Sequence, residues 1–180
     1  WGTERYWQSV LAAEERSEAI ATEAMESFPK QTCRNRSVII DPRGEQIVLS
    51  VPVKKVEHKQ LTRDIEISYQ AKWQHQHWNA ILSAYKRTPY FDYYQDFIRP
   101  LYEKETRWLI DFNDQTFSIV HALLQNEMPG RNYAPERTTD WAGQDLESVW
   151  GDGISILDAL FKKGPLAGKE GGNGELKMEN

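Results

Sequence analysis

The 180-residue chain contains a single cysteine, Cys33. It therefore has no intramolecular disulfide framework and no zinc site built on several thiolates. Long apolar runs are missing too. No stretch approaches the ~20 residues that carry a helix through a bilayer, and no charged-then-apolar leader is present. We expect no membrane span and a cytoplasmic location. The phosphate-cradling loops G-x-x-x-x-G-K-[ST] and G-x-G-x-x-G do not occur, nor does the nucleophile elbow G-x-S-x-G or the metal spacing H-E-x-x-H. Gly151-Asp152-Gly153 is too short to count as such a loop, so no cofactor is identified; metal dependence is disfavoured, although a carboxylate-bound Mg²⁺ leaves little trace in a sequence. Positive charge is also in deficit, with 22 Lys and Arg against 27 Asp and Glu, a net of −5. Nucleic-acid backbones, whose binding relies on many phosphate-neutralising cations, are not an expected partner.

Aromatic residues are abundant: seven Trp, eight Tyr and six Phe, in a chain that is 39% hydrophobic. That content argues against a disordered polypeptide, and a chain of this length buries roughly 70% of its unfolded surface without staples. We read residues 1–165 as one domain. Residues 166–180, with four glycines and little apolar material, are expected to be a mobile tail.

The charge is unevenly placed. Residues 30–63 hold eight basic and three acidic side chains, a net of +5, between flanks of −4 (residues 1–29) and −6 (residues 64–180). A basic segment inside an acidic protein suits one small anion, such as a nucleotide or a sugar phosphate. A solvated basic hairpin with no ligand is the other reading.

Tyr6, Trp7, Val10 and Leu11 recur at helical spacing and predict a short helix over 4–15. The Ala and Glu content of 18–27 favours helix by propensity, a preference that tertiary pairing often overrides. Val38-Ile39-Ile40 and the run Ile47 to Val53 read as two strands joined by Asp41-Pro42-Arg43-Gly44, where proline presets φ and glycine permits positive φ. Pro52 cannot donate to a ladder, so it marks a strand exit or a sheet edge. Arg63 to Tyr69 alternates as a half-buried strand, with Ile65, Ile67 and Tyr69 on one face.

Helices follow. Trp73, His77, Ala80, Ile81, Ala84 and Tyr85 form one stripe, ended by Thr88-Pro89. Asp92 to Tyr102 is interrupted by Pro100, Thr106 to Asn126 is the longest helical pattern, and Ile154 to Lys163 is the last. The order predicts an α+β fold: a short N-terminal helix, a small mixed or antiparallel sheet, then a C-terminal helical bundle packed against it.

Lys30-Gln31-Thr32-Cys33-Arg34-Asn35-Arg36 is the densest polar motif. If it is extended, Arg34 and Arg36 share a face and Asn35 points to the other. Two guanidiniums so placed clamp a phosphate or carboxylate; alternatively, one pairs with a buried carboxylate and only organises the fold. Cys33 beside Arg34 lacks a local base, which argues against a thiol nucleophile. On a helix, His75 and His77 lie about 200° apart and cannot share a metal. His77 is the inward one, either a hydrogen-bonded core residue or a general base titrating near neutrality. Trp78, Tyr85, Tyr90, Phe91, Tyr93 and Tyr94 read as core, with stacking on a sugar face as the alternative.

These motifs resemble the WbqC-like family of bacterial proteins, one member of which lies in an O-antigen gene cluster. The likeness runs through Phe28-Pro29-Lys30-Gln31-Thr32-Cys33-Arg34-Asn35-Arg36, Leu49-Ser50-Val51-Pro52-Val53, Arg63-Asp64-Ile65 and Trp73 with His77-Trp78. It continues through Pro89-Tyr90-Phe91, Asp111-Phe112-Asn113 and Ser155 to Phe161, collinear over residues 3–165. Members usually carry an apolar strand ahead of the position of Trp1 and a longer segment between Met128 and Val149. The resemblance implies a strand at Glu18–Glu26 and a role in cell-envelope polysaccharide synthesis. It also implies a set of distinctive polar positions: Lys30, Arg34, Asn35, Arg36, Arg63, Asp64, His77, Trp78 and Asn113. Joined to the basic segment, it suggests a transferase acting on a nucleotide-linked or phosphorylated sugar. In that scheme His77 and Asp64 are catalytic, and the others bind substrate. A non-catalytic protein that holds a glycan or a partner is the alternative, favoured by the lack of a recognised nucleophile, metal site or cofactor loop.

Overall fold

Thr3 begins the first helix by accepting the Tyr6 amide on its hydroxyl at 3.2 Å. Satisfying an orphan donor in this way favours Thr, Ser, Asp or Asn at such positions. The helix, α1 (Glu4–Glu15), has the predicted bounds and buries Trp7, Val10 and Ala13. A computed structural model of the chain describes residues 1–16, 24–28, 33–125 and 153–167. The expected strand or helix over 18–23, Lys30 and the tail beyond Ala167 lie outside the described residues.

At 24–28 the backbone is paired rather than helical. Phe28 N donates to Gln60 O, Thr62 N to Glu26 O and Arg63 N to Ala24 O, around a bridge between Ser27 and Leu61. Long-range pairing overrides the local helix propensity of Ala24 to Glu26. The sheet is an antiparallel hairpin of β1 (Arg36–Ile40) and β2 (Gln46–Ser50), with Arg36 opposite Ser50 and Ile40 opposite Gln46. Its loop uses the expected chemistry. Asp41 Oδ1 accepts the amides of Arg43 and Glu45, both at 2.8 Å, and Gly44 takes a φ of +88°. Pro52 stands at the strand's exit, its carbonyl accepting from Ser68 N.

Two boundaries differ from the periodic reading. Thr62–Asp64 is a tight 3₁₀ turn, so the extended stretch begins only at Ile65. Residues 65–67 then pair on two sides: Ile67 bridges Val53, and Glu66 bridges Trp108. Because Ile67 N donates to Arg107 O and Leu109 N to Ile65 O, the backbone of 106–108 is held extended, and the long helix starts late, at Leu109.

Among the described residues the further helices are α2 (Trp73–Tyr85), α3 (Phe91–Ile98), α4 (Pro100–Glu103), α5 (Leu109–Leu124) and α6 (Ile156–Lys163). Pro100 separates α3 from α4 as expected, sitting at the first turn of α4 where its missing N–H costs nothing. The last helix begins at Ile156 rather than Ile154, because Ser155 caps it by accepting the Leu157 amide at 3.2 Å.

Helix α2 crosses the hairpin diagonally. Val38 O and Ile40 N bond outside the hairpin, to Ser155 N at 2.7 Å and to Tyr85 Oη at 3.3 Å. Strand alternation then turns the backbone groups of Ser50, Val48 and Gln46 outward on β2. His77, two turns before Tyr85, bonds the Ser50 backbone. The helix therefore runs from the Ser50 corner to the Ile40 corner, about 12 Å by its rise per residue. Its Ile81 and Tyr85 are fully buried, as are Ile39 of β1 and Leu157 and Phe161 of α6. Side chains of this size each contribute about 2 kcal/mol by leaving water. The result is the expected α+β architecture, with α2 and α6 packed on a sheet that has two antiparallel strands among the described residues.

Candidate functional site

The motif that ends in Arg36 is not extended throughout. Cys33–Asn35 forms a 3₁₀ turn that enters β1. The alternation needed to put Arg34 and Arg36 on one face therefore fails. Two amides hold the turn instead. Asn35 Nδ2 donates to Val51 O at 3.1 Å, while the Val51 amide donates to Asn35 O at 2.8 Å. From α5, Asn113 Nδ2 donates to the Arg34 carbonyl at 2.9 Å. Both asparagines thus act on backbone, fixing where the two arginines stand.

Arg34 is largely covered, and its Nη2 lies 3.2 Å from Glu26 Oε2. The Glu26 side chain is 61% exposed, so this pair lies at a rim. Arg36 is exposed at the first position of β1, opposite Ser50. A polar seam continues through residues 24–26 to the next predicted pair. Arg63 Nη1 lies 3.2 Å from Met25 Sδ, and Arg63 Nε lies 3.6 Å from Asp64 Oδ1, with both side chains about half exposed. Arg34, Asn35, Arg36 and Asn113 are therefore joined directly. Arg63 and Asp64 sit one segment further along.

His77 is the inward residue the helical stripe predicts, only 7% exposed. Trp73 meets it edge-on at 5.1 Å and Tyr102 lies 6.0 Å away. Burial lowers its pKa to about 4, opposed by the bond to the Ser50 backbone, which favours the protonated ring. It connects to the arginine turn through β2, since Ser50 faces Arg36 and Val51 is held by Asn35. No three His, Cys, Asp or Glu side chains converge among the described residues.

The geometry of this turn sits inside a recognisable pattern. Residues 6–134, from α1 past the end of α5, match the model of the WbqC-like protein family. The chain belongs to that family. No curated protein and no solved structure matches it. The WbqC-like match includes every polar position discussed above and stops before α6, whose Ser155 to Phe161 also carried the resemblance.

Trp78 is separated from the arginine turn. One residue after His77, it points to a different place, a cleft of about 510 Å³ that also takes in Tyr69, Gln74, Arg99, Tyr102 and Glu103. Sequence reasoning singled out Trp78 but none of these neighbours as a site residue. Nor did it find Glu26 or Ser50. Both act through pairings between distant segments, which leave no local periodicity. The one available signal was the i, i+4 spacing of Arg99 and Glu103, whose Nε and Oε1 lie 2.6 Å apart. No helix among the described residues is long and apolar enough to cross a membrane.

Proposed function

We propose that this WbqC-like protein works in the cytoplasm in cell-envelope polysaccharide synthesis. In this role it holds the phosphate of a nucleotide-linked or phosphorylated sugar at the Arg34–Arg36 turn. The observation that carries the reading is the anchoring of that turn by Asn35 and Asn113, which leaves Arg36 exposed and Arg34 at a rim. Positioned guanidiniums lose little freedom on binding and suit phosphate geometry. The Glu26 pair does not oppose this, because exposed ion pairs contribute only about 0–1 kcal/mol and yield to a more highly charged partner.

Holding a ligand fits the surroundings better than acid–base catalysis does. A general base works best with a pKa near the operating pH and with access to its proton. His77 is buried with a pKa near 4, and Asp64 lies exposed beside Arg63 on a separate turn.

The test is calorimetric titration of the full chain with UDP-glucose and glucose 1-phosphate. Replacing either Arg34 or Arg36 with Ala weakens binding about tenfold, as expected for a charge-assisted contact. Asn113→Ala weakens it less, by loosening the turn. Equal affinities for the wild type and both arginine variants, or no binding by any of them, would remove this assignment.

A further inference from the structure

The cleft over Trp78 has a different chemistry from the arginine turn, and we propose that it is a saccharide subsite that stacks an uncharged pyranose ring on the indole. Its volume of about 510 Å³ lies within the ~300–1,000 Å³ typical of small-molecule sites. Trp78 is half-buried and firmly backed: Tyr102 lies 6.1 Å from it at 34°, and Phe91 lies 6.3 Å from it at 30°. A rigid amphipathic ring with one side toward an opening offers apolar contact at little entropic cost. The C–H face of a sugar supplies the matching surface.

The polar lining offers an anion no excess of positive charge. Lys72 and Arg99 bring two positive charges and Glu103 and Glu105 two negative ones, with His75 also on the wall, so the cleft is balanced where residues 30–63 are strongly basic. A phosphate entering it meets two carboxylates beside the two cations. A ring bearing several hydroxyls, each both donor and acceptor, uses both signs. Gln74 is already oriented: its Nε2 donates to Lys104 O at 2.7 Å, which turns the amide oxygen into a fixed acceptor. Arg99 and Glu103 are paired along one edge of the helical turn, with both side chains more than half exposed. That planar pair retains donors and an acceptor for hydroxyl groups.

The subsite shares no residue with the arginine turn, so the two assignments fail separately. The experiment is saturation-transfer NMR on the full chain with methyl glucoside, methyl galactoside and methyl N-acetylglucosaminide. Uridine and glucose 1-phosphate serve as competing probes. At least one glycoside receives saturation on the C–H protons of one ring face. Trp78→Leu weakens its binding about tenfold, Glu103→Ala about fivefold, and Arg36→Ala leaves it unchanged. Because Trp78 also packs against Tyr102 and Phe91, a thermal melt accompanies Trp78→Leu. Glu103→Ala, which disturbs only a surface pair, decides the matter if that variant does not fold. Absence of transfer to every glycoside, undiminished binding in the folded variants, or displacement of the glycoside from this cleft by uridine or glucose 1-phosphate overturns the proposal.

Discussion

Burial holds the His77 imidazole neutral at pH 7 and makes it a stabilising residue with a defined pH signature. Its pKa is lowered from 6.5 to about 4, with desolvation the main cause. A base whose folded pKa is depressed binds a proton more readily when unfolded. Stability is therefore full above pH 6.5 and is lost as the pH falls toward 4, by on the order of 3 kcal/mol in total. Urea midpoints measured across that window should decline in the wild type. His77→Gln, which keeps a donor for Ser50 but does not titrate, should show a flatter profile. His77→Leu should be less stable even at neutral pH, because the outward Ser50 carbonyl is left unpaired at a cost of about 1–3 kcal/mol. Identical pH profiles for the wild type and His77→Gln contradict this role. The inward direction of His77 was legible in its spacing from Trp73 and Ile81. Its partner was not, because Ser50 reaches it only through the diagonal of α2 across the hairpin. The same limit applied at Arg34 and Arg36. Their shared face was inferred from strand alternation, and the tight turn at Cys33–Asn35 removed it.

Elements were legible where a single signal ruled. The helix over 4–15, the hairpin with its Asp41 to Gly44 loop, and the break at Pro100 each follow from local spacing or backbone chemistry. Boundaries failed where distant backbone competes. The apolar pattern of α5 extends back to Thr106, but Arg107 and Trp108 are consumed by pairing with Ile67 and Glu66. Cation–π contact of Arg107 over Trp108, at 4.5 Å, and its ion pair to Glu66 reinforce that extended stretch.

The turns at the ends of elements give a graded test. At Gly44 (φ +88°) a Cβ would meet nothing within 4 Å, so Gly44→Ala costs only backbone strain, about 1 kcal/mol. At Gly164 (φ +63°), just after α6, a Cβ would sit 2.5 Å from the Tyr90 ring, which is itself stacked on Tyr94. Gly164→Ala must both strain the backbone and displace that ring, so its loss of stability should be clearly the larger in urea titration. Equal losses would mean that the contact between the α6 terminus and Tyr90 is looser than the packing indicates.

Across the whole molecule, charge is segregated in a way that matches the two proposed ligand contacts. The basic segment of residues 30–63 supplies Arg34, Arg36 and Arg63 to one polar seam, while the cleft over Trp78 draws Lys72 from just ahead of α2 and Arg99, Glu103 and Glu105 from in and around α4. Net charge alone, at −5, concealed this division; the block-by-block distribution revealed the basic half of it, and only the fold revealed the balanced half. The difference is measurable through salt. Screening shortens from about 10 Å at 0.1 M to about 3 Å at 1 M, so an anion held by guanidiniums at the surface and its rim loses affinity steeply as salt is added. A neutral ring held by stacking and hydrogen bonds does not. Glucose 1-phosphate should therefore bind about tenfold more weakly at the higher salt, and a methyl glycoside within about twofold of its low-salt affinity. A glycoside whose binding falls as steeply as that of the phosphate would mean that charge, rather than the indole face of Trp78, governs the cleft. A phosphate whose binding is indifferent to salt would mean that Arg34 and Arg36 are not what holds it.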